Sequence, residues 1–115
     1  MTNAANRSEC IVDFTSMPDV TLFTGRKNGR KAKKHFTISN ADYFIFRANE
    51  NQVITSSYFL GLVGEELIAL LNKLENSNIN ELLKCIDTQD INTVSQNECV
   101  RAIKRGLSSQ DDSLL

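Results

Sequence analysis

Residues 51–67 read NQVITSSYFLGLVGEEL. The stretch starts in a short extended segment at Val53 and Ile54, turns on a cluster of hydroxyl residues and then opens an apolar, helix-forming run. A turn that leads from a strand into a helix presents side-chain hydroxyls and unpaired backbone N–H groups at one point of the surface. The stretch therefore predicts a strand–turn–helix unit whose turn is either a plain helix cap or a contact point for another molecule.

Composition favours one domain of ordinary size. The chain has 115 residues, of which 41% are apolar, and this suits a domain with a core of its own. Thirteen Lys and Arg residues balance fourteen Asp and Glu residues, so the net charge favours no class of partner. No apolar run approaches the roughly 18 residues of a membrane span, and the polar start lacks the apolar core of a signal peptide. We expect a cytoplasmic domain over residues 9–107, with flexible tails at 1–8 and 108–115.

The residues that most often carry chemistry are few. The three cysteines, Cys10, Cys85 and Cys99, are far apart and odd in number, which predicts buried free thiols rather than disulfides or a zinc site. The single histidine, His35, follows a basic stretch and is expected at the surface. No nucleophile–base pair and no pair of facing carboxylates is recognisable. The sequence therefore predicts no metal site, no cofactor and no enzymatic activity.

Extended and helical patterns alternate along the chain. Extended segments are expected at 9–14, 20–23, 43–48, 53–54 and 82–87, and the last of these would also suit the end of a helix. Helices are expected at 24–36, 57–74 and 96–107. This order is typical of an α/β fold, with a mixed sheet of about four to five strands flanked by helices.

The second and third helices carry the clearest signals. The second has one apolar stripe, which should face the sheet and consists of Phe59, Leu60, Val63, Leu67, Leu70, Leu71 and Leu74. The third begins with Ser95-Gln96-Asn97-Glu98, in which Ser95 and Glu98 have the spacing of a capping box. We therefore expect Ser95 to be the N-cap of the third helix.

The first helix combines glycines with concentrated positive charge. Gly25 and Gly29 share a helix face, and each costs about 1 kcal/mol relative to alanine, so close approach of a sheet or a ligand is expected there. Lys33 and five further basic residues lie within nine positions: Arg26, Lys27, Arg30, Lys31 and Lys34. They form either a solvated face or an anion-binding surface for an acidic partner or nucleic acid. No aromatic residue is interspersed for base stacking, which disfavours nucleic acid.

Two stretches carry a family resemblance. One is VITSSYF at 53–59, followed by Leu60 and Gly61, and the other is TLFTGRKNGR at 21–30. Together they resemble the STAS-like domains, relatives of the anti-sigma-factor antagonist (STAS) domain, in which a strand runs into an Ile-Thr-Ser-Ser-Phe-like turn and an apolar helix. The resemblance covers about residues 9–107. It implies a sheet of four or five strands flanked by helices, without a catalytic centre.

The resemblance also implies where a partner would bind. Members of the parent STAS family carry Asp-Ser-Ser-Gly at this turn, and a partner kinase phosphorylates the first serine. Here Thr55 replaces the Asp, Ser56 and Ser57 occupy the serine positions, and Tyr58 replaces the Gly. A protein partner, such as a GHKL-type ATPase or kinase, would therefore contact Thr55–Tyr58. The two departures leave phosphorylation itself open, and self-association is also left open.

These observations favour a non-enzymatic regulatory or interaction module whose partner binds across the Thr55–Tyr58 turn and the basic helix. The alternative is a small nucleic-acid-binding protein that uses the basic helix at 24–36. Neither interpretation involves a membrane.

Overall fold

A computed structural model describes residues 7–107 of the chain. The tail segments 1–6 and 108–115, for which flexibility is predicted, lie outside the described residues. The five strands are β1 (Glu9–Asp13), β2 (Leu22–Phe23), β3 (Tyr43–Arg47), β4 (Val53–Ile54) and β5 (Ile86–Asp90). The helices are α1 (Arg26–Lys31), α2 (Ser56–Lys73), α3 (Ile79–Leu83) and α4 (Thr93–Arg101), which continues as a π-helical segment at Ala102–Leu107. The predicted α/β class is confirmed.

Every strand pairing is parallel. β3 lies between β1 and β5 in a three-stranded sheet, while β2 and β4 form a separate two-stranded sheet. One mixed sheet was expected from the sequence. The strands pair in parallel instead, because a helix or turn carries the chain back to the same end of the sheet before the next strand pairs. The carboxyl ends of β2 and β4 therefore lie side by side, and α1 and α2 begin next to each other.

The core lies between the three-stranded sheet and α2. All six phenylalanines are buried in it, and Phe14 is central, with its ring centroid 4.9 Å from that of Phe23 and 5.0 Å from that of Phe36. The predicted apolar stripe of α2 is confirmed: Phe59, Val63, Leu67 and Leu70 are buried, and its other leucines pack at the edge of the core. No helix within residues 7–107 has the length and apolarity to cross a membrane.

The cysteines are free thiols, as predicted. Cys10 and Cys99 are buried, whereas Cys85 is half-buried. Burial raises the pKa of the Cys99 thiol to about 12. Its thiolate is therefore scarce near neutral pH, which is typical of a packing cysteine rather than a reactive one.

The predicted strand at 82–87 is wrong in its first half. Leu82 and Leu83 end α3, and β5 begins only at Ile86. α3 forms because the side chain of Asn78 accepts hydrogen bonds from the N–H groups of Asn80 and Glu81, at 2.8 and 3.3 Å. The spacing of the leucines is compatible with a strand and with a helix. The N-cap at Asn78 favours the helix.

The first and third helices also differ from expectation. α1 ends at Lys31 instead of residue 36, and the chain continues in turns to Thr37, whose φ is 55°. α4 begins at Thr93, three residues before the expected start, because the side chain of Asn92 accepts a hydrogen bond from Ser95 N–H at 2.9 Å. Asn92, not Ser95, is therefore the N-cap of α4.

Candidate functional site

The helices α1 and α2 cross in backbone contact. A Cβ added to Gly29 would lie 2.8 Å from the backbone nitrogen of Leu62, and one added to Gly61 would lie 2.8 Å from the carbonyl carbon of Arg26. The close approach expected at the first helix is confirmed for Gly29, but it is made by α2, not by a sheet or a ligand. The crossing brings Arg26 and Arg30 to the side of α2.

In the predicted contact turn, the hydroxyls of Thr55 and Ser57 contact each other and the chain that enters α1. Thr55 is the N-cap of α2: its Oγ1 accepts from Tyr58 N–H at 3.4 Å and donates to the carbonyl of Phe23 at 3.2 Å. The Oγ of Ser57 accepts from Gly25 N–H at 3.3 Å and lies 3.3 Å from Thr55 Oγ1. These bonds tie the start of α2 to the chain that enters α1.

Ser56 differs from its neighbours. Its hydroxyl has no hydrogen-bond partner among residues 7–107, while its backbone N–H donates to Oε1 of Glu98 at 2.7 Å. Glu98 therefore satisfies an N–H group at the start of α2. The sequence predicted instead that Glu98 belongs to a capping box of α4. The hydroxyl of Ser56 is left available for another molecule.

Tyr58 faces away from Ser56. The residue is only 5% exposed, and its ring packs edge-on against Phe23 with centroids 5.4 Å apart. Burial raises the pKa of its phenol. It lines a cleft beside α1 that does not include Ser56. The predicted contact residues Thr55–Tyr58 are thus divided between a cap, an open hydroxyl and a cleft.

The predicted basic residues do not form one face. Arg26 and Arg30 line a small depression of about 120 Å³ against α2, whereas Lys31 lines the cleft that contains Tyr58. Lys27 and Lys34 are exposed and line neither the depression nor the cleft. The remaining residue of the run, Lys33, forms an ion pair with Glu66 at 2.8 Å, and most of both side chains is buried.

Arginines from a second element complete a positive surface. A groove of about 330 Å³ lies beside the depression and is lined by Ser56, Leu60, Arg101, Ala102, Arg105 and Gly106. Leu60 lines both the groove and the depression. We call the surface made by Arg26, Arg30, Arg101 and Arg105 around Ser56 and Leu60 the arginine face.

The arginine face is mostly unpaired. The guanidinium groups of Arg26, Arg30 and Arg101 make no ion pair or hydrogen bond within the described part of the chain. Two carboxylates lie at the edge of the arginine face: that of Glu65 lines the depression, with its side chain 84% exposed, and that of Glu98 accepts from the N–H of Ser56. Sequence reasoning missed Arg101 and Arg105, although their spacing of four on a helix was a visible signal of a shared face.

Gln52, whose role was not predicted from the sequence, is fully buried. Its Nε2 donates to the carbonyl groups of Phe14, Met17 and Val20 at 2.9–3.0 Å, and its Oε1 accepts from Asn49 N–H at 2.7 Å. This amide holds the segment 14–20 against the start of β4. A glutamine in a polar stretch gives no sequence signal of such a role.

The guanidinium groups of this surface are cationic hydrogen-bond donors, whose geometry suits anionic acceptors. Among residues 7–107, no group of three or more His, Cys, Asp and Glu side chains is placed to hold a metal ion.

No family model matches the chain, and no curated protein or solved structure is significantly similar to it. The resemblance to STAS-like domains therefore stays a prediction.

Proposed function

We propose that this chain is a non-enzymatic interaction module that binds an acidic segment of a protein partner across the arginine face. The observation that carries the proposal is the convergence of four arginines, from α1 and from the α4 region, around Leu60 and the open hydroxyl of Ser56. The chain as a whole is nearly neutral, so this local concentration of positive charge is not a consequence of composition.

Several physical features favour carboxylates as the ligand groups. A guanidinium group offers a planar fork of donors that matches a carboxylate with two parallel hydrogen bonds. The first N–H group of α2 already donates to the carboxylate of Glu98, so the guanidinium groups rather than the helix end supply the donors. Leu60 gives the surface an apolar centre with a charged rim, which is the usual arrangement of protein interfaces.

Ser56 supplies a means of regulation. Its hydroxyl lines the same groove as Arg101 and Arg105, so a phosphate on Ser56 would lie in a groove that contains two guanidinium groups, beside the carboxylate of Glu98. The phosphate would compete with the acidic segment for these guanidinium groups and would weaken partner binding. A GHKL-type ATPase or kinase, which the STAS-like resemblance implies, is the partner class that fits this arrangement.

Nucleic acid is the second candidate, because arginines also bind phosphate groups. The described surface offers little for base stacking: all six phenylalanines and Tyr58 are buried, and the ring of Tyr43 is covered by Arg7, whose guanidinium carbon lies 3.9 Å from the ring centroid. This shortage of exposed aromatic rings supports a protein partner over a single-stranded nucleic acid.

Partner capture from the native host tests the proposal. The bait is the full chain, compared with Arg30→Glu/Arg101→Glu and with Lys27→Glu/Lys34→Glu, which changes the charge equally outside the arginine face. We expect an acidic protein to be captured by the wild type and by the lysine variant, but not by the arginine variant. Equal capture by both variants would count against the proposal.

A further inference from the structure

The cleft that contains Tyr58 is a mainly apolar site that the proposed function does not use. It has a volume of about 400 Å³, which lies in the usual range of small-molecule sites, about 300–1,000 Å³. Its apolar walls are Met17, Val20, Leu22, Phe23 and Ala32. Leu22 is 56% exposed at this position, so a bound apolar group would cover a leucine that water now contacts.

Tyr58 places a polar group in the apolar wall. The residue is 5% exposed, yet its hydroxyl has no hydrogen-bond partner among residues 7–107 and is not sealed from solvent. Buried phenols normally have a hydrogen-bond partner. The ring is held by Phe14 and Phe23, with centroid distances of 6.4 and 5.4 Å, so the hydroxyl is fixed in position rather than free to turn away. The hydroxyl is thus a preorganised donor that lacks an acceptor.

The charges around the cleft favour an anion. Lys31 and His35 line it, and none of the described Asp and Glu residues does. Lys31 forms no ion pair within residues 7–107, whereas the nearby Lys33 is already paired with Glu66. His35 is held at the rim by contact between its Nε2 and the Oγ of Ser16, at 3.2 Å. An acceptor in the cleft would therefore meet one phenol donor and one unpaired ammonium group.

We propose that this cleft binds a small carboxylic acid with an aromatic or branched aliphatic body. The body lies against Leu22 and Phe23, one carboxylate oxygen accepts from the hydroxyl of Tyr58, and the charge is balanced by Lys31. The site lies on a different side of α1 from Arg26 and Arg30 and does not depend on the arginine face.

Titration with naphthoate tests the site, with the neutral naphthalenemethanol as the matched probe. Both are added to the isotope-labelled full chain, and amide chemical shifts are followed. We expect saturable shifts for naphthoate in residues 17–24 and 28–35 and at Tyr58, with binding at least about tenfold weaker for the alcohol. No saturation, or shifts confined to another surface, would overturn the proposal.

Two variants separate the donor from the charge. Tyr58→Phe keeps the ring contacts and removes only the hydroxyl, and Lys31→Met keeps the length and removes the charge, with Lys27→Met as its control. We expect each of the first two to weaken naphthoate binding about tenfold and to reduce its advantage over the alcohol, and Lys27→Met to bind like the wild type. If Lys31→Met prefers naphthoate over the alcohol as strongly as the wild type does, the assignment is overturned. This outcome can be read whether or not Tyr58→Phe folds.

Discussion

Gly29 of α1 and Gly61 of α2 lie at a helix crossing at which each glycine faces the backbone of the other helix. Backbone atoms cannot turn aside as a long side chain can, so the crossing has no room for a methyl group at either position. The crossing also fixes where Arg26 and Arg30 stand relative to Leu60. The geometry of the arginine face therefore depends on two residues that carry no charge.

Gly61→Ala should destabilise the fold. Helix propensity alone would make an alanine favourable by about 1 kcal/mol, but overpacking against the Arg26 backbone should cost more, about 1–3 kcal/mol net. Gly64→Ala is the matched control, because its added Cβ would meet only the side chain of Leu60 at 3.9 Å. Denaturant unfolding measures both. A stabilised Gly61→Ala chain would show that the helices are further apart than described.

Alanine substitutions in the turn should separate capping from recognition. Thr55→Ala should cost about 1 kcal/mol of stability, because it removes the N-cap and the bond to Phe23. Ser56→Ala should change the melting temperature little, since its hydroxyl has no partner among the described residues, but it should alter partner affinity or its regulation. The measurements are thermal unfolding and partner affinity. If Ser56→Ala leaves both unchanged, Ser56 has no role in the contact.

Gln52→Met should be strongly destabilising. It leaves the carbonyl group of Val20 without a donor and the N–H of Asn49 without an acceptor, and it removes one of two donors from the carbonyls of Phe14 and Met17. Each group left unsatisfied should cost about 1–3 kcal/mol. Gln89→Met is the control, because Gln89 is exposed on β5. Denaturant unfolding gives the difference, and an equal loss in the two variants would contradict the role assigned to Gln52.

Acid should remove one contribution to stability at Asp42. The hydrogen bond from Lys73 at 3.2 Å, with a further one from Ser8 N–H at 3.4 Å, holds the pKa of Asp42 below its usual value of 3.8. A lowered pKa in the folded state stabilises the fold above the unfolded pKa, and this contribution is lost as the pH falls through the folded pKa. Asp42→Asn should therefore melt below the wild type at about pH 6 and converge with it as the pH falls through the folded pKa of Asp42.

Asp19→Asn is the control for that comparison, because Asp19 is exposed and has no ion pair within residues 7–107. Its melting temperature should stay parallel to that of the wild type across the same pH range. A constant difference between Asp42→Asn and the wild type at every pH would argue against the interaction with Lys73.

Local pattern was sufficient for most of the fold. The period of the apolar residues predicts α2, which is long enough to show one. The aromatic and β-branched run that starts at Tyr43 predicts the central strand β3. The pairing of strands was not predictable: two residues of β2 or β4 carry no information about their neighbours. The N-caps at Asn78 and Asn92 determine where α3 and α4 begin. The local pattern was equally compatible with a strand at 82–87 and with a helix that starts at residue 96.

The candidate site was predictable only in part. The cluster at Arg26 and Arg30 and the hydroxyl of Ser56 are visible in the sequence as local concentrations of charge and of hydroxyl groups. Their meeting with Arg101 and Arg105 depends on contacts between residues about 45 positions apart or more, which no local pattern encodes. The split of the basic run also required the structure, because it depends on which side of α1 packs against α2.

The most direct test of the arginine face is the affinity of the full chain for a fluorescent peptide of alternating glutamates and leucines, measured by anisotropy at low and at high salt. A DNA duplex of equal charge is the competing ligand. We expect the peptide to bind more tightly than the duplex, to weaken with salt, and to lose at least about tenfold in affinity in Arg30→Glu/Arg101→Glu but not in Lys27→Glu/Lys34→Glu. Equal losses in the two variants, or tighter binding of the duplex, would contradict the proposal that this face recognises an acidic protein.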